Sequence, residues 1–105
     1  MKGGIVKGHL DLLLLGALEG GPAHGYALIE RLRERSRGAF DFAEGTIYPA
    51  LHRLEHAEYL SSKWVHAEGR RRRTYSLTRR GRHALAERRR EWKAFSGAVN
   101  VVAGT

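Results

Sequence analysis

The sequence predicts a mainly α (α+β) fold in which three short helices precede a β-hairpin and one long helix. Three successive segments carry apolar residues at helical spacing, and two short alternating segments around a glycine follow them. A long helical segment comes last. This order is that of a winged helix-turn-helix with a two-stranded wing and a long C-terminal dimerisation helix. We expect the winged helix-turn-helix DNA-binding unit over residues 1–78 and the dimerisation helix over residues 79–105.

Two helices open the predicted fold. The first covers residues 9–19 and ends at Gly20-Gly21-Pro22, and its leucine-rich apolar face is broad enough to predict that it is largely buried. The second covers residues 24–36, with its apolar positions directed inward. Its charged residues, Arg31 among them, are expected on the solvent side.

The third predicted helix covers residues 44–57 and has two unlike faces. Its apolar stripe consists of Ile47, Ala50, Leu51, Leu54 and Ala57. The opposite side of the helical wheel carries Gly45, Pro49, His52 and His56, flanked by Tyr48 and Arg53. A proline is tolerated only near the start of a helix, so Pro49 places that start near Gly45.

Two alternating segments, residues 59–66 and 72–77, flank turn residues 67–69 and predict the hairpin. Thr78 is the expected N-cap of the last helix, residues 79–102. Gly97 lies inside that helix and weakens the prediction for its final turns, because glycine is a poor helix former.

The last helix also carries an apolar seam whose members are separated by alternating steps of three and four residues, with one interruption at Arg88. The predicted dimer interface consists of Leu85, Trp92, Phe95, Val99 and Val102. Little chain remains to cover the C-terminal half of this seam, which favours a second copy of the chain. The alternative is that the stripe packs on its own domain.

Composition narrows the function classes. At 105 residues the chain has room for one modest core and little for a deep catalytic cleft. The net charge of +8 favours a polyanionic partner, and eleven of the 19 lysines and arginines lie between Arg70 and Lys93. The absence of cysteine excludes disulfides and thiolate metal sites. The apolar run over residues 10–18 is too short to span a bilayer and unsuited to a signal peptide, which predicts a cytoplasmic protein.

The third helix and the arginine run together predict binding to double-stranded DNA. A helix beside a basic hairpin can enter the major groove while the hairpin contacts the phosphate backbone. The candidate DNA-binding residues are Thr46, Tyr48, His52 and Arg53 on the helix and Arg70, Arg71, Arg72 and Arg73 on the wing. We expect two or three of the four wing arginines to contact phosphate, because alternation along a strand directs neighbours to opposite faces.

Two other interpretations are open on the residues alone. The run from His52 to His56 matches the H-x-x-E-H pattern of some zinc proteases, but a third metal ligand is missing, so we expect neither a metal, a cofactor nor an enzyme. The basic face of the last helix could instead serve a membrane-surface or protein-interaction module.

Four segments resemble the PadR family of bacterial transcriptional regulators over about residues 8–96. They are the leucine-rich residues 10–18, His24-Gly25-Tyr26-Ala27-Leu28, residues 44–55 and the arginine-rich residues 69–81. Residues 44–55 and 69–81 are specific only in combination. The single C-terminal helix is similar to that of the smaller PadR subfamily, and His56 and Tyr59 depart from the family pattern.

The resemblance implies a homodimeric repressor with its third helix in the major groove of an operator. In some small relatives of this family, a small aromatic effector binds between the paired last helices and stacks on a tryptophan, and the resemblance implies either this role or that of a plain interface anchor for the residue at that position. Trp92 stands at that position here, with Phe95 and Val99 as neighbours.

Overall fold

A computed structural model describes residues 9–105 of the protein. Within that range four helices and three strands follow one another along the chain. They are α1 (Leu10–Leu18), β1 (Ala23–His24), α2 (Gly25–Arg35), α3 (Glu44–His56), β2 (Leu60–Ala67), β3 (Arg70–Leu77) and α4 (Arg79–Ala103). The predicted mainly α fold with a hairpin and a long final helix is confirmed, and α4 continues through Gly97 to its end.

The core forms where α1, α2 and α3 meet the base of the sheet. Leu14, Leu15, Leu28, Ile47 and Leu51 are completely shielded from solvent. Each such side chain contributes about 1.5–3 kcal/mol through burial, so these contacts dominate the folding free energy. The apolar stripes predicted for the first three helices are the faces that meet here.

The predicted two-stranded wing is present, and the sheet at its base has a third strand that the sequence does not predict. The strand order is β1-β3-β2, all antiparallel, with Ala23 opposite Tyr75 and His24 opposite Thr74. A strand of two residues shows no alternation, which is why β1 leaves no periodic signal in the sequence. The hairpin turn has positive φ angles of 54° at Glu68 and 73° at Gly69, the pattern of a type I′ turn.

Arg31 of α2 is a correction to the predicted solvent face. Its guanidinium is partly buried and donates hydrogen bonds to the carbonyl oxygens of Ala17 at 2.7 Å and Gly21 at 3.1 Å. These carbonyls lie at and beyond the C-terminal end of α1, where backbone acceptors lack helical partners. Arg31 of α2 therefore caps the C-terminal end of α1.

The first two turns of α4 belong to the body of the domain. Thr78 caps the helix by accepting a hydrogen bond from the Gly81 amide at 2.9 Å, as predicted. A Cβ atom at Gly81 would lie 2.0 Å from the Tyr59 carbonyl oxygen, so only glycine allows this close approach. Leu85, predicted as an interface residue, is 2% exposed and packs in the protomer's own core.

Beyond Leu85 the helix runs along the surface of the body, where Arg88, Arg89 and Trp92 contact residues in or next to α1. The three buried residues of α4 are Gly81, Ala84 and Leu85, all near its start, whereas Trp92, Phe95 and Val99 are 41–59% exposed. The molecule measures 52 × 28 × 21 Å. The stripe that remains available to a partner therefore begins at Trp92.

Candidate nucleic-acid interface

The outer face of α3 carries exposed polar residues over a fully buried stripe. Thr46 and His52 are exposed, while Ile47, Leu51 and Leu54 face the core. The buried stripe fixes the helix against the body and leaves it little freedom to rotate. Thr46 and His52 are therefore presented on the outside of the domain.

Tyr48 is partly buried at the junction of α3 with α2. A Cβ atom at Gly25 would lie within 2.5–2.6 Å of the Tyr48 ring and hydroxyl, so Gly25 is required for this packing. The ring also lies edge-on to Tyr26, with 6.4 Å between centroids. Burial and the neighbouring Glu44 carboxylate raise the pKa of Tyr48, so its hydroxyl stays protonated at neutral pH and can donate a hydrogen bond.

Arg53 is held by a carboxylate of α1. Its Nη1 and Nη2 atoms donate to the two oxygens of Asp11 at 3.1 and 2.7 Å, the fork geometry typical of strong arginine–carboxylate pairs. This hydrogen bonding raises the pKa of Arg53. The side chain is still 58% exposed, so the guanidinium is fixed at the surface.

Two wing arginines bracket an exposed tryptophan. The guanidinium carbons of Arg71 and Arg73 lie 4.8 and 5.6 Å from the ring centre of Trp64, which is 53% exposed. Cation–π contacts of this kind hold a cation in place without removing its charge. Trp64 was not predicted as a site residue; its position opposite Arg73 on the hairpin is visible only once the strand register is known.

Arg73 also ties the wing to the end of α3. Its Nε donates to Ser62 Oγ at 2.8 Å, its Nη2 lies 3.5 Å from Glu55 Oε1, and the Ser62 hydroxyl donates a hydrogen bond to Glu55. Glu55 is the acidic residue of the H-x-x-E-H run, and here it anchors the wing. Across residues 9–105, no three His, Cys, Asp or Glu side chains are grouped so that they could hold a metal ion.

Arg72 faces the start of α2. Its Nη1 atom is 3.2 Å from both ring nitrogens of His24, and its guanidinium carbon is 5.8 Å from the centre of the Tyr26 ring. His24 caps α2, its Nδ1 accepting from the Ala27 amide at 3.2 Å. Burial and the charge of Arg72 lower the pKa of His24, so the imidazole is neutral at neutral pH.

A groove of about 430 Å³ lies between the wing and the helices. The residues that line it are His24, Tyr26, Tyr48, Trp64, Arg70, Arg71, Arg72 and Arg73. All four predicted wing arginines and Tyr48 therefore meet at one surface. Tyr26 and His24 complete it from the start of α2; both belong to a segment that resembles the PadR family, but neither was predicted as a site residue.

A second, smaller cavity of about 250 Å³ lies beside α4. Its lining residues are His9, Leu12, Arg88, Glu91, Trp92 and Phe95. Trp92 lies edge-on to His9, 4.9 Å between ring centres, and 6.1 Å from Phe95. Two of the three predicted effector residues therefore line one cavity in the protomer, whereas Val99 lies outside it.

The region from His9 to the C-terminus contains no helix with enough length and apolar character to span a bilayer. The long helix α4 is the one whose length alone would permit it, and its arginines prevent it.

Comparison with known proteins gives concordant matches. A family model described as the transcriptional regulator PadR-like family matches residues 14–87. A transcriptional regulator of Mycobacterium tuberculosis is 45% identical over 76 residues, covering 72% of this chain and 68% of that protein. The solved structure of a transcriptional regulator from Clostridium thermocellum has a TM-score of 0.86 at 26% identity and covers 95% of both chains. That of a PadR family regulator from Eggerthella lenta has a TM-score of 0.85 at 30% identity and covers 96% of this chain and 87% of that one.

Proposed function

The chain belongs to the PadR-like family of transcriptional regulators, and we propose that it is a homodimeric repressor whose α3 and wing grip an operator together. Membership makes it a DNA-binding regulator of a family that consists of regulators rather than enzymes. The observation that carries the finer proposal is the groove shared by α3, the start of α2 and four wing arginines.

We expect α3 and the wing to contact different parts of the DNA. Thr46 and His52 stand exposed on α3, where side chains can reach base edges in the major groove. Arg70 and Arg71, both exposed on the wing, suit phosphate contact, which adds affinity for every sequence alike. Arg53 and Tyr48 lie on the flanks of α3, where the phosphate backbone would pass.

Dimerisation through α4 is proposed from its uncovered apolar stripe. Trp92, Phe95, Val99 and Val102 are 41–88% exposed in the protomer, and large apolar surfaces of this kind mark interaction sites. Two recognition helices must stand about 34 Å apart to enter successive major grooves. We keep the division into a DNA-binding unit, residues 1–78, and a dimerisation helix, with the first turns of that helix packed in the body.

The cavity at Trp92 supports an aromatic effector as the regulatory ligand. It lies on the side of α4 that carries the proposed dimer stripe, so a second copy would enclose it further. A ligand bound there would change the angle between subunits and hence the spacing of the two α3 helices. In a Trp64→Phe variant, quenching of the remaining Trp92 fluorescence by a panel of aromatic compounds would report binding directly. A Trp92→Phe variant serves as its control, and an unchanged Trp92 signal would count against the effector.

Selection of duplexes from a random library by the purified chain tests the central proposal. We expect enrichment of a palindromic sequence whose half-sites are about one helical turn apart, protected in a footprint. If a dimer neutralises about eight phosphates, log K should fall with log salt with a slope near −7, at about −0.9 per phosphate. A chain that enriches no sequence and prefers vesicles of anionic lipid to any duplex would overturn the proposal.

A further inference from the structure

One carboxylate joins three helices at the edge of the DNA-binding surface. Asp11, in the first turn of α1, accepts two hydrogen bonds from Arg53 of α3, at 2.7 and 3.1 Å. The same carboxylate lies 3.7 Å from Nη2 of Arg88, which belongs to α4. Two cations therefore share one anion, and the cluster keeps a net positive charge.

The two arginines differ in what else they touch. Arg53 projects from the flank of α3 and is 58% exposed. Arg88 is less exposed, at 31%, and lines the cavity that contains Trp92 and Phe95. Asp11 thus lies between a cation of the recognition helix and a cation of the helix proposed to bind the partner and the effector.

A neighbouring ion pair provides a natural comparison. Glu19, just beyond the C-terminal end of α1, binds Arg89 of α4 in the same fork geometry, at 2.7 and 3.0 Å. This pair also joins α1 to α4, but no ion pair or side-chain hydrogen bond within residues 9–105 links it to α3. Asp11 differs from Glu19 in that it also contacts α3, the helix proposed to enter the major groove.

We propose that Asp11 is a positioning residue for DNA binding: it holds the Arg53 guanidinium in place for a backbone phosphate and makes that hold depend on Arg88 of α4. The proposal rests on the function proposed above. It assigns Asp11 and Arg88 roles in binding although neither lies on α3 or the wing.

The physical reason lies in the entropy of a long side chain. A free arginine loses rotamer freedom when it binds phosphate, whereas Arg53 is already ordered by Asp11. Its pairing uses one N–H from each terminal nitrogen and leaves the outward N–H groups to donate to an incoming phosphate. When α4 shifts, Arg88 leaves or approaches the shared carboxylate and changes how firmly Arg53 is held.

The test compares Asp11→Asn with Glu19→Gln, which remove the same charge from the two ends of α1. On the duplex selected by the wild-type chain, we expect Asp11→Asn to bind about three- to tenfold more weakly than Glu19→Gln, the cost of immobilising one side chain. The salt slope should stay unchanged in Asp11→Asn, because the number of phosphate contacts is preserved. Thermal melting of both variants checks that they are equally folded.

Double variants show whether Asp11 acts through its partners. In an Arg53→Met background, Asp11→Asn should have no further effect on affinity. Arg88 is a second contact that fixes the Asp11 carboxylate, so Arg88→Met should loosen Asp11, weaken binding in the wild-type chain and have no effect once Asp11 is replaced. Because Arg88→Met leaves Asp11 intact, it tests the same link even if Asp11→Asn folds poorly.

Four results would overturn the inference. If the Asp11→Asn variant binds the duplex as tightly as the Glu19→Gln variant, Asp11 does not position Arg53. If it binds more tightly, Asp11 withholds Arg53 from DNA. An effect of Asp11→Asn that persists in Arg53→Met would mean that it acts elsewhere. An effect of Arg88→Met that persists in Asp11→Asn would remove α4 from the link. A wild-type chain that selects no duplex refutes the proposed function itself, which is a distinguishable outcome.

Discussion

Helices α3 and α4 carry similar apolar stripes, but the stripe of α3 is buried and most of the stripe of α4 is exposed. The stripe of α3, with Leu51 and Leu54 at its centre, is at most 1% exposed at these two residues. The stripe of α4 from Trp92 onward is 41–88% exposed. Both show the same helical spacing in the sequence, so periodicity identifies a face that needs cover without identifying what covers it.

The contrast shows where each helix gets its stability. Helix α3 is fixed by its own protomer, which gives the exposed Thr46 and His52 a rigid support. Within residues 9–105, the half of α4 from Trp92 onward contains no buried side chain, so its stability and its function are both expected to depend on a second copy. Substitutions in the two stripes should therefore separate folding from assembly.

The largest effect is expected in the buried stripe. Leu51→Ala truncates a fully buried side chain and should lower the free energy of unfolding by about 2–5 kcal/mol, because less apolar surface is buried and a cavity remains. Urea denaturation measures it. Val101→Ala, at a position 84% exposed, is the control and should change stability by less than about 0.5 kcal/mol. Equal destabilisation of the two variants would remove the contrast between the helices.

The exposed stripe should affect assembly instead. Val99→Asp places a charge on the proposed seam, and we expect it to raise the dimer dissociation constant by about 30-fold or more, as removal of an interface anchor does. Val101→Asp introduces the same charge off the seam and should dimerise like the wild type. Sedimentation equilibrium over a range of concentrations measures both. A monomeric wild type, or identical behaviour of the two variants, would mean that this stripe is not the interface.

Within the DNA-binding surface, substitutions in the wing and in α3 should differ in how they change the salt dependence of DNA binding. Replacing Arg70 and Arg71 by alanine should reduce the slope of log K against log salt by about 0.9 for each phosphate that is no longer neutralised, and weaken binding to all duplexes alike. His52→Ala should leave the slope unchanged and alter sequence preference. Fluorescence anisotropy at several salt concentrations gives both values. An unchanged slope in the wing variant would show that these arginines do not bind phosphate.

The smallest expected effect concerns pH and the start of α2. The pKa of His24 lies below its ordinary value of 6.5, chiefly because of burial, so the folded protein binds this proton less readily than the unfolded chain. The stability that depends on a neutral His24 is therefore fully present above about pH 6.5. It is lost as the pH falls through the lower pKa that His24 has in the folded protein.

His24→Asn tests this assignment. Asparagine is a good N-cap that does not titrate, so the variant should lose less stability than the wild type between pH 7 and pH 5. Thermal melts of both proteins at the two pH values measure the difference. Parallel losses of stability in the two proteins would assign the pH dependence to other groups.

Much of the candidate site could be predicted from residue type and spacing. The exposure of Thr46 and His52 follows from the helical wheel, and the wing arginines follow from alternation around Gly69. Long-range partners could not be predicted, because no local pattern pairs Arg53 with Asp11, 42 positions away, or Arg72 with His24, 48 positions away. These partners determine which arginines of the candidate site already contact other side chains of the protein.

The four helices, the hairpin, their order and the basic character of one surface were predictable from the amino-acid chain, because helix caps, apolar periods and charge runs act between near neighbours. Other features became visible only in the folded molecule, among them that Leu85 belongs to the core, that β1 joins the sheet and that Asp11 is shared between two arginines. These features depend on distances between segments that lie far apart in the chain, and packing in three dimensions sets those distances.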